Sequence, residues 1–181
     1  MLVVHIKGAS GSMASKPTPD FAACDFTVIV DTSEQTPFTF RDIERLKRYG
    51  GGTLIIPTKK KSLYTGDYSI EGAETEITIE RKEMGDFFHC CGGDRERFAG
   101  PGGQLDRLNQ MKFGCVVVEA EWSMVMRGDR NSKMSPDSIH GSVIAWQQDE
   151  YPNVKWWFCT RRLAEVTTFR ILDRWWRKNG I

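Results

Sequence analysis

The run Ile77-Thr78-Ile79-Glu80-Arg81-Lys82 follows Gly66-Asp67-Tyr68 after a short polar turn. Its β-branched residues recur with a period of two, which predicts a strand. Alternation places the two isoleucines on one face and puts Glu80 and Lys82 together on the other. Because the core takes the isoleucines, we expect Glu80 and Lys82 to emerge side by side on the opposite face.

Asp67 begins a second short segment, residues 67–70, which a polar turn separates from this strand. A hairpin of the two segments brings Asp67 close to Glu80, and two such carboxylates repel unless a cation lies between them. Mg²⁺ fits because it takes hard oxygen ligands and keeps several waters, and we expect Mn²⁺ to substitute for it. A metal-bound water is a nucleophile toward phosphorus, with Lys82 on the scissile phosphate or beside the attacking water.

A second interpretation of the same residues needs no metal. Charged runs on strands are commonly solvated faces, and Asp after Gly is common turn chemistry. Asp86 falls in the first turn of a predicted helix, where an acid stabilises the helix dipole. Both interpretations stay open from the residues alone, and the order of the pieces on β-type segments favours the metal site.

The combination of Gly66-Asp67-Tyr68 with Glu80-Arg81-Lys82 and Asp86 resembles the GDY…ERKxxxD motif of XPF-type structure-specific nucleases. The resemblance runs over most of residues 26–178, and Val116 to Glu119 is similar to a strand of that family. It implies a restriction-endonuclease-like core and an endonuclease that cuts branched or flapped DNA in repair or recombination. Ser33 departs from the family, since an arginine is common at that position.

The resemblance also implies the roles of individual residues. Asp67, Glu80 and the Arg81 carbonyl would bind the metal, and Lys82 would be catalytic. The supporting acids would be Asp31, Glu34 and Asp86. It further implies a homodimer or heterodimer formed through the C-terminal helices. We expect no helix-hairpin-helix pair, because the sequence ends at Ile181.

Composition is compatible with a nucleic-acid enzyme without requiring one. The chain has 181 residues, 40% of them hydrophobic and 27% charged, with a formal net charge of only +1. Such a balance does not indicate a polyanionic partner, so local basic clusters matter more than the total. Our DNA-contact candidates are Lys59, Lys60, Lys61, Arg95 and Arg97. Basic clusters such as the three lysines are more often solvated faces than phosphate contacts, and these lysines are candidates because they lie just before Asp67. The two arginines fall in a glycine-rich segment, residues 92–103, that could be a mobile cleft wall or a flexible interhelical loop.

The remaining sequence features argue against other classes of protein. No apolar run approaches the length of a membrane span, so we expect no membrane partner. Five scattered cysteines argue against a disulfide framework and favour a reducing intracellular compartment, either cytoplasm or nucleus. His89-Cys90-Cys91 has no second ligand pair at zinc spacing, which disfavours a zinc site.

Strands alternating with helices predict an α/β fold with a central mixed β-sheet flanked by helices. Residues 1–24 are expected to be a disordered lead-in and residues 25–181 a single nuclease domain. We predict strands over 26–31, 53–57, 75–82, 115–120 and 154–159. We predict helices over 41–49, 84–91, 105–112, 136–150 and 161–178. Residues Leu163, Val166, Phe169, Leu172, Trp175 and Trp176 form the apolar stripe of the last helix.

Two rival functions remain compatible with the sequence. The first is a non-catalytic member of the family that binds DNA or supports another nuclease subunit. The second is a restriction-type or exonuclease-type enzyme built on the same core. The chain has the full set of Asp67, Glu80 and Lys82, which argues against a non-catalytic member. A panel of DNA substrates is needed to distinguish a restriction-type or exonuclease-type enzyme from one that cuts at branches.

Overall fold

The computed structural model describes residues 21–41, 43 and 52–180. Its strands are β1 (Phe21–Ala23), β2 (Val28–Val30), β3 (Thr53–Ile55), β4 (Thr58–Lys60), β5 (Tyr68–Ile70), β6 (Ile77–Glu83), β7 (Phe113–Glu119) and β8 (Lys155–Phe158). Its helices are α1 (Met84–Cys91), α2 (Arg95–Ala99), α3 (Gln104–Asn109), α4 (Trp122–Val125), α5 (Pro136–Ala145) and α6 (Arg161–Asn179). A π-helical turn, Trp146–Glu150, continues α5.

Six strands form the main sheet in the order β4-β2-β5-β6-β7-β8, and β1 pairs with β3 in a separate parallel ribbon. Within the main sheet only β5 runs against its neighbours; the other pairings are parallel. The carboxyl ends of five strands therefore meet at one end of the sheet, together with the start of β5. We call this end the carboxyl edge. The predicted mixed sheet flanked by helices is confirmed.

Helices cover both faces of this sheet, which gives two hydrophobic clusters. One cluster joins the isoleucines of β6 and the side chains of Cys115 and Val117 to α6. The other joins Val116 and Val118 to α1, α2, α3 and α5. Strands buried on both faces read as continuous apolar runs, as β7 does. The face of β6 that carries Glu80 is thus covered by a second helical layer rather than by solvent.

Several boundaries differ from the sequence predictions. Strand β1 lies before the predicted domain start at residue 25, and β4 lies where only a basic run is predicted. The glycine-rich segment 92–103 is not irregular, because α2 forms inside it and buries Phe98. Leu163 is 52% exposed and leaves the predicted stripe, while Ala164 and Thr168 are buried in its place. The helix predicted over residues 41–49 falls mostly outside the described residues.

Membrane insertion receives no support from the described helices. None of them, within residues 21–41, 43 and 52–180, combines the length and the apolar character that a bilayer span needs.

Candidate active site

Acidic side chains gather at the carboxyl edge because the strand topology brings them there. Tyr68 of β5 pairs with Ile79 of β6 in antiparallel register. The preceding residue of β5 and the following residue of β6 therefore lie opposite each other, which places Asp67 across from Glu80. The predicted hairpin contact between the two acids is confirmed. Both line an open cleft of about 490 Å³.

Each residue of the Gly66-Asp67-Tyr68 segment has a distinct structural task. Gly66 has a φ of +78°, and a Cβ there would lie 2.1 Å from Thr78 Oγ1. A residue with a side chain would be strained in its backbone and would collide with β6. Tyr68 is fully buried, and its hydroxyl accepts the Phe38 N–H at 2.9 Å. The flanking residues thus fix the position of Asp67.

Glu80 and Lys82 lie on the same face of β6 and form an ion pair of 2.5 Å between Nζ and Oε1. Glu80 is only 2% exposed and the Lys82 side chain 12% exposed. The Lys82 ammonium also sits 5.6 Å from the centre of the Phe98 ring. The interpretation of this run as a solvated face is wrong, because a solvated face would leave these charges in water.

The electrostatics of the pair follow from this burial. Burial raises the pKa of Asp67 well above its usual range, the charge of Glu80 adds to the rise, and the Arg81 N–H bonded to Oδ2 at 2.7 Å opposes it. Burial alone would lower the pKa of Lys82, but the charge of Glu80, with smaller contributions from Cys90, the hydrogen bond to Glu80 and Asp67, makes the net shift upward. Two carboxylates are therefore held together at a cost that a cation between them would relieve.

Arg81 points to the opposite face of β6 and is the centre of a buried ionic network. Its guanidinium contacts Glu119 at 2.6 Å, Glu83 at 2.7 Å and Glu34 at 3.2 Å. Burial would lower the pKa of Arg81, but these acids, Glu119 first, raise it above its usual value. Arg81 and its partners Glu34 and Glu83 all line the cleft, so this network forms part of the cleft wall. The backbone N–H of Arg81 donates to Asp67 Oδ2, and the Arg81 carbonyl leaves β6 on the same side as this N–H.

The three supporting acids occupy different environments. Glu34 lines the cleft but is engaged with Arg81. Asp86, in the first turn of α1, is exposed and also lines the cleft. Asp31 is buried and holds its own loop: Oδ1 accepts the Leu63 N–H at 2.7 Å, and Oδ2 accepts from the backbone and side chain of Ser33. Burial would raise the pKa of Asp31, but these hydrogen bonds lower it.

The basic candidates separate into near and distant groups. Arg97 lines the cleft, as does Gln104 of α3. Arg95 instead donates to Ser142 at 2.8 Å and stacks over Trp146. The three lysines lie in or just after β4, the outer strand of the sheet. Lys59 forms an ion pair with Glu71 and Lys61 with Glu74, whereas Lys60 is exposed. The structure brings only Arg97 to the acids.

Two residues of this edge lie outside the predicted site. Glu119 ends β7, where it accepts hydrogen bonds from both Arg81 and Arg161. Its signal in the sequence was an acid closing a continuous apolar strand. Arg161 begins α6 and also donates to the Thr36 carbonyl at 3.1 Å. Nothing local marks Arg161, because its partners come from three distant segments.

The donor set can be tested against a divalent metal. Among the described residues, no group of three or more His, Cys, Asp or Glu side chains is placed to hold one. Two carboxylates, Asp67 and Glu80, and the carbonyl of Arg81 are the oxygens on offer. This set fits Mg²⁺, which usually takes one or two carboxylates and keeps several waters. It does not fit zinc, which prefers a closed set of nitrogen and sulfur ligands.

Comparison with solved structures identifies the fold. The chain is similar to XPF from Aeropyrum pernix in complex with DNA, with a TM-score of 0.58, 21% identity, and coverage of 84% of this chain and 66% of that chain. It is likewise similar to XPF from Aeropyrum pernix, with a TM-score of 0.56, 20% identity, and coverage of 86% and 62%. The chain thus spans a little under two thirds of the length of these structures.

Comparison of the sequence with curated proteins gave no significant match. Comparison with family models did: the ERCC4 domain matches residues 30–168, which is well over half of the chain. This match contains the acid pair, Lys82 and the whole ionic network of the carboxyl edge. The chain therefore belongs to the ERCC4 domain family and has the mixed α/β fold of the XPF structures.

Proposed function

We propose that this chain is a metal-dependent endonuclease that cuts DNA phosphodiester bonds beside branches, flaps or junctions, in repair or recombination. The observation that carries the proposal is the acid pair. Asp67 and Glu80 face each other across β5 and β6, with Lys82 paired to Glu80 in the same cleft. Membership of the ERCC4 domain family supports a structure-specific nuclease.

Each residue of the cleft has a role in the proposed chemistry. Asp67, Glu80 and the Arg81 carbonyl would hold Mg²⁺, and Mn²⁺ would substitute. The bound ion supplies a water of lowered pKa and offsets charge on the phosphate. Lys82 holds Glu80 in place and presents its ammonium to the scissile phosphate or to the attacking water. In-line attack on phosphorus would leave a 3′-hydroxyl and a 5′-phosphate.

The proposed substrate is supported by two observations of different kinds. One of the structures that share this fold is XPF in complex with DNA. In addition, Arg97 and Gln104 line the same cleft and can meet a phosphate or a sugar. A duplex branch would supply an unpaired, adaptable phosphate at the mouth of the cleft.

A Glu80→Gln variant tests the proposal with a panel of linear duplex, single strand, 3′ flap, splayed arm and four-way junction. With Mg²⁺ we expect the wild type to cut flapped or branched DNA. We expect the variant to lose at least about a thousandfold in rate, because it removes one of two metal carboxylates.

Glu76→Gln is the matched control, since it removes the same charge at the far end of the same strand. It should cut at the wild-type rate. Wild-type cleavage by Glu80→Gln would contradict the mechanism. If the wild type binds branched DNA tightly but cuts none of the substrates, it is a non-catalytic member of the family. If the wild type cuts linear duplex alone, a restriction-type or exonuclease-type activity is favoured.

We further propose that the chain pairs through its C-terminal helices, with itself or with a relative. The support is a groove of about 420 Å³ beside α6, lined in part by Phe113, Trp157, Ile171 and Trp175. Leu163, on the same helix, is exposed as well. Sedimentation over a range of concentrations tests this, and a monomer at every concentration would exclude the homodimer.

A further inference from the structure

The loop between α4 and α5, residues 126–135, carries a concentration of charge that the acid cleft does not use. Arg127, Arg130 and Lys133 are all exposed. No ion pair or side-chain hydrogen bond links any of them to another residue in the part of the chain that the structure describes. Elsewhere within the described residues, Lys59, Lys61, Arg81 and Arg161 are by contrast held in ion pairs. The loop therefore presents unneutralised positive charge.

Hydrogen bonds within the loop define the backbone that carries these cations. The Asp129 carboxylate accepts the Asn131 N–H at 3.0 Å, and its carbonyl accepts the Ser132 N–H at 3.0 Å. Ser132 Oγ accepts the Met134 N–H at 3.1 Å. Asp129 is the single acid of the loop, so the three cations outnumber it. Its Oδ1 is bonded to the loop backbone, and the residue also lines the groove between the loop and α1. The net charge of the loop surface is consequently positive.

The same loop forms one wall of a groove of about 760 Å³ whose other wall is α1. Lys133 lines this groove on the loop side, and Gly85, Gly92 and Gly93 line it on the helix side. At Gly85 a Cβ would have only Asp129 Oδ2 nearby, at 3.8 Å, so the helix backbone is open to a ligand there. The loop side of the groove thus offers Lys133 with the polar side chains of Asn131 and Ser132, and the helix side offers open backbone at Gly85. Such groups can meet the phosphates and sugars of a nucleic-acid strand.

Consecutive residues at the start of α1 line this groove and the acid cleft. Gly85 lines the groove and the next residue, Asp86, lines the cleft. A strand that has its scissile phosphate between Asp67 and Glu80 can therefore cross the first turn of α1 and enter the groove. The charge of the loop selects a polyanion, and DNA is the polyanion that the cleft is proposed to hold.

We propose that the loop 126–135 and the α1 groove bind the backbone of the DNA arm that leaves the cleft, with Arg127, Arg130 and Lys133 on its phosphates. This inference rests on the proposed function and adds a second contact surface to it. Its role is to hold the arm, so it should affect binding and leave the chemical step unchanged.

The test replaces Arg127, Arg130 and Lys133 together by alanine. Binding is measured by fluorescence anisotropy on flapped duplex DNA, in a Glu80→Gln background so that the DNA stays intact. We expect the dissociation constant to rise about tenfold near physiological salt, and the slope of log K against log salt to fall by roughly two to three. Single-turnover cleavage at saturating DNA, measured with Glu80 present, should keep its wild-type rate.

A charge-matched control replaces Arg41, Lys155 and Arg170, which are exposed and line neither the cleft, nor the α1 groove, nor the groove beside α6. It lowers the net charge by the same three units and should leave the salt slope unchanged. Equal losses in both variants would overturn the inference, because they would reflect net charge alone. An unchanged dissociation constant in the loop variant would also overturn it, while cleavage of flaps by the wild type would leave the proposed function intact. Failure of the wild type to bind or cut any DNA would reject both.

Discussion

At the scale of single residues, the site depends on neighbours that carry no charge. Asp67 is held between a glycine whose φ of +78° suits no other residue well and a tyrosine anchored to the Phe38 backbone. The chemistry is assigned to the acid, but its position comes from the residues on either side. Spacing alone predicted that Asp67 and Glu80 meet, since a hairpin with alternating faces allows little else.

Gly66→Ala should destabilise the protein more than Gly72→Ala does. Both glycines have a left-handed φ, which costs an alanine about 1–2 kcal/mol. Only Gly66 lacks space, because its Cβ would meet Thr78, whereas nothing lies within 4 Å of a Cβ at Gly72. We expect Gly66→Ala to lose about 2 kcal/mol more in the free energy of unfolding. Urea titration of both variants measures the difference, and equal losses would show that the collision is relieved at little cost.

Side-chain partners at this scale were less predictable than positions. The period of two places the Arg81 side chain on the face opposite Glu80 and Lys82, but it does not predict which acids hold the guanidinium. These acids include Glu34 and Glu119, which lie 47 and 38 positions away. A periodicity of two assigns a face and says nothing about which distant acids will cover it.

At the scale of elements, the carboxyl edge is tied together by one network. Arg81 of β6 and Arg161 of α6 share Glu119 of β7, and Arg161 also reaches the loop after β2. The start of α6 is thereby fixed to the strand ends that carry the acid pair. The glycine-rich segment behaves similarly, since α2 packs Phe98 against Trp146 and brings Arg97 to the cleft. The glycine content of residues 92–103 suggested a loop, but a short helix forms there and buries Phe98.

Arg81→Leu should cost about 3–5 kcal/mol in the free energy of unfolding. The substitution leaves the buried carboxylates of Glu34 and Glu119 without their main counter-charge. Arg170→Leu, on the exposed side of α6, is the control and should stay within about 0.5 kcal/mol of the wild type. Chemical denaturation of both variants provides the comparison. A small loss for Arg81→Leu would mean that Arg161 alone neutralises the network.

At the scale of the whole molecule, the central sheet was more predictable than the short strands β1 and β4. Apolar strands alternating with amphipathic helices predicted the mixed sheet, since such elements have few ways to bury both faces. The short strands β1 and β4 were not predicted, because three residues with mixed polarity carry no periodic signal. The distant position of the β4 lysines followed from the strand order, which local sequence does not encode.

The metal should stabilise the protein without being needed for folding. We expect cleavage to stop in EDTA and to return with Mg²⁺ or Mn²⁺. At a metal concentration about tenfold above its dissociation constant, binding should add about 1.4 kcal/mol, or about 3–6 °C in Tm. Thermal unfolding in EDTA and in Mg²⁺ measures this shift.

Asp67→Asn separates the metal from the fold in the same experiment. It removes one of the two facing carboxylates whose proximity raises the pKa of Asp67, so its Tm in EDTA should be no lower than that of the wild type. It should show no shift with Mg²⁺. A full Mg²⁺ shift in this variant would place the metal elsewhere in the protein.

The backbone hydrogen bonds on both sides of Asp67 have a consequence for the substrate. The Asp67 N–H donates to the Ile79 carbonyl, and the Asp67 carbonyl accepts the Asp31 N–H, each at 2.8 Å. The backbone of Asp67 is therefore bonded to a strand on either side. A site of this kind cannot travel to reach a phosphate. On the proposed function, the DNA must do the bending, and a straight duplex resists that while a fork or a flap yields readily. A preference for branched DNA would then follow from the rigid backbone that holds Asp67 in the sheet.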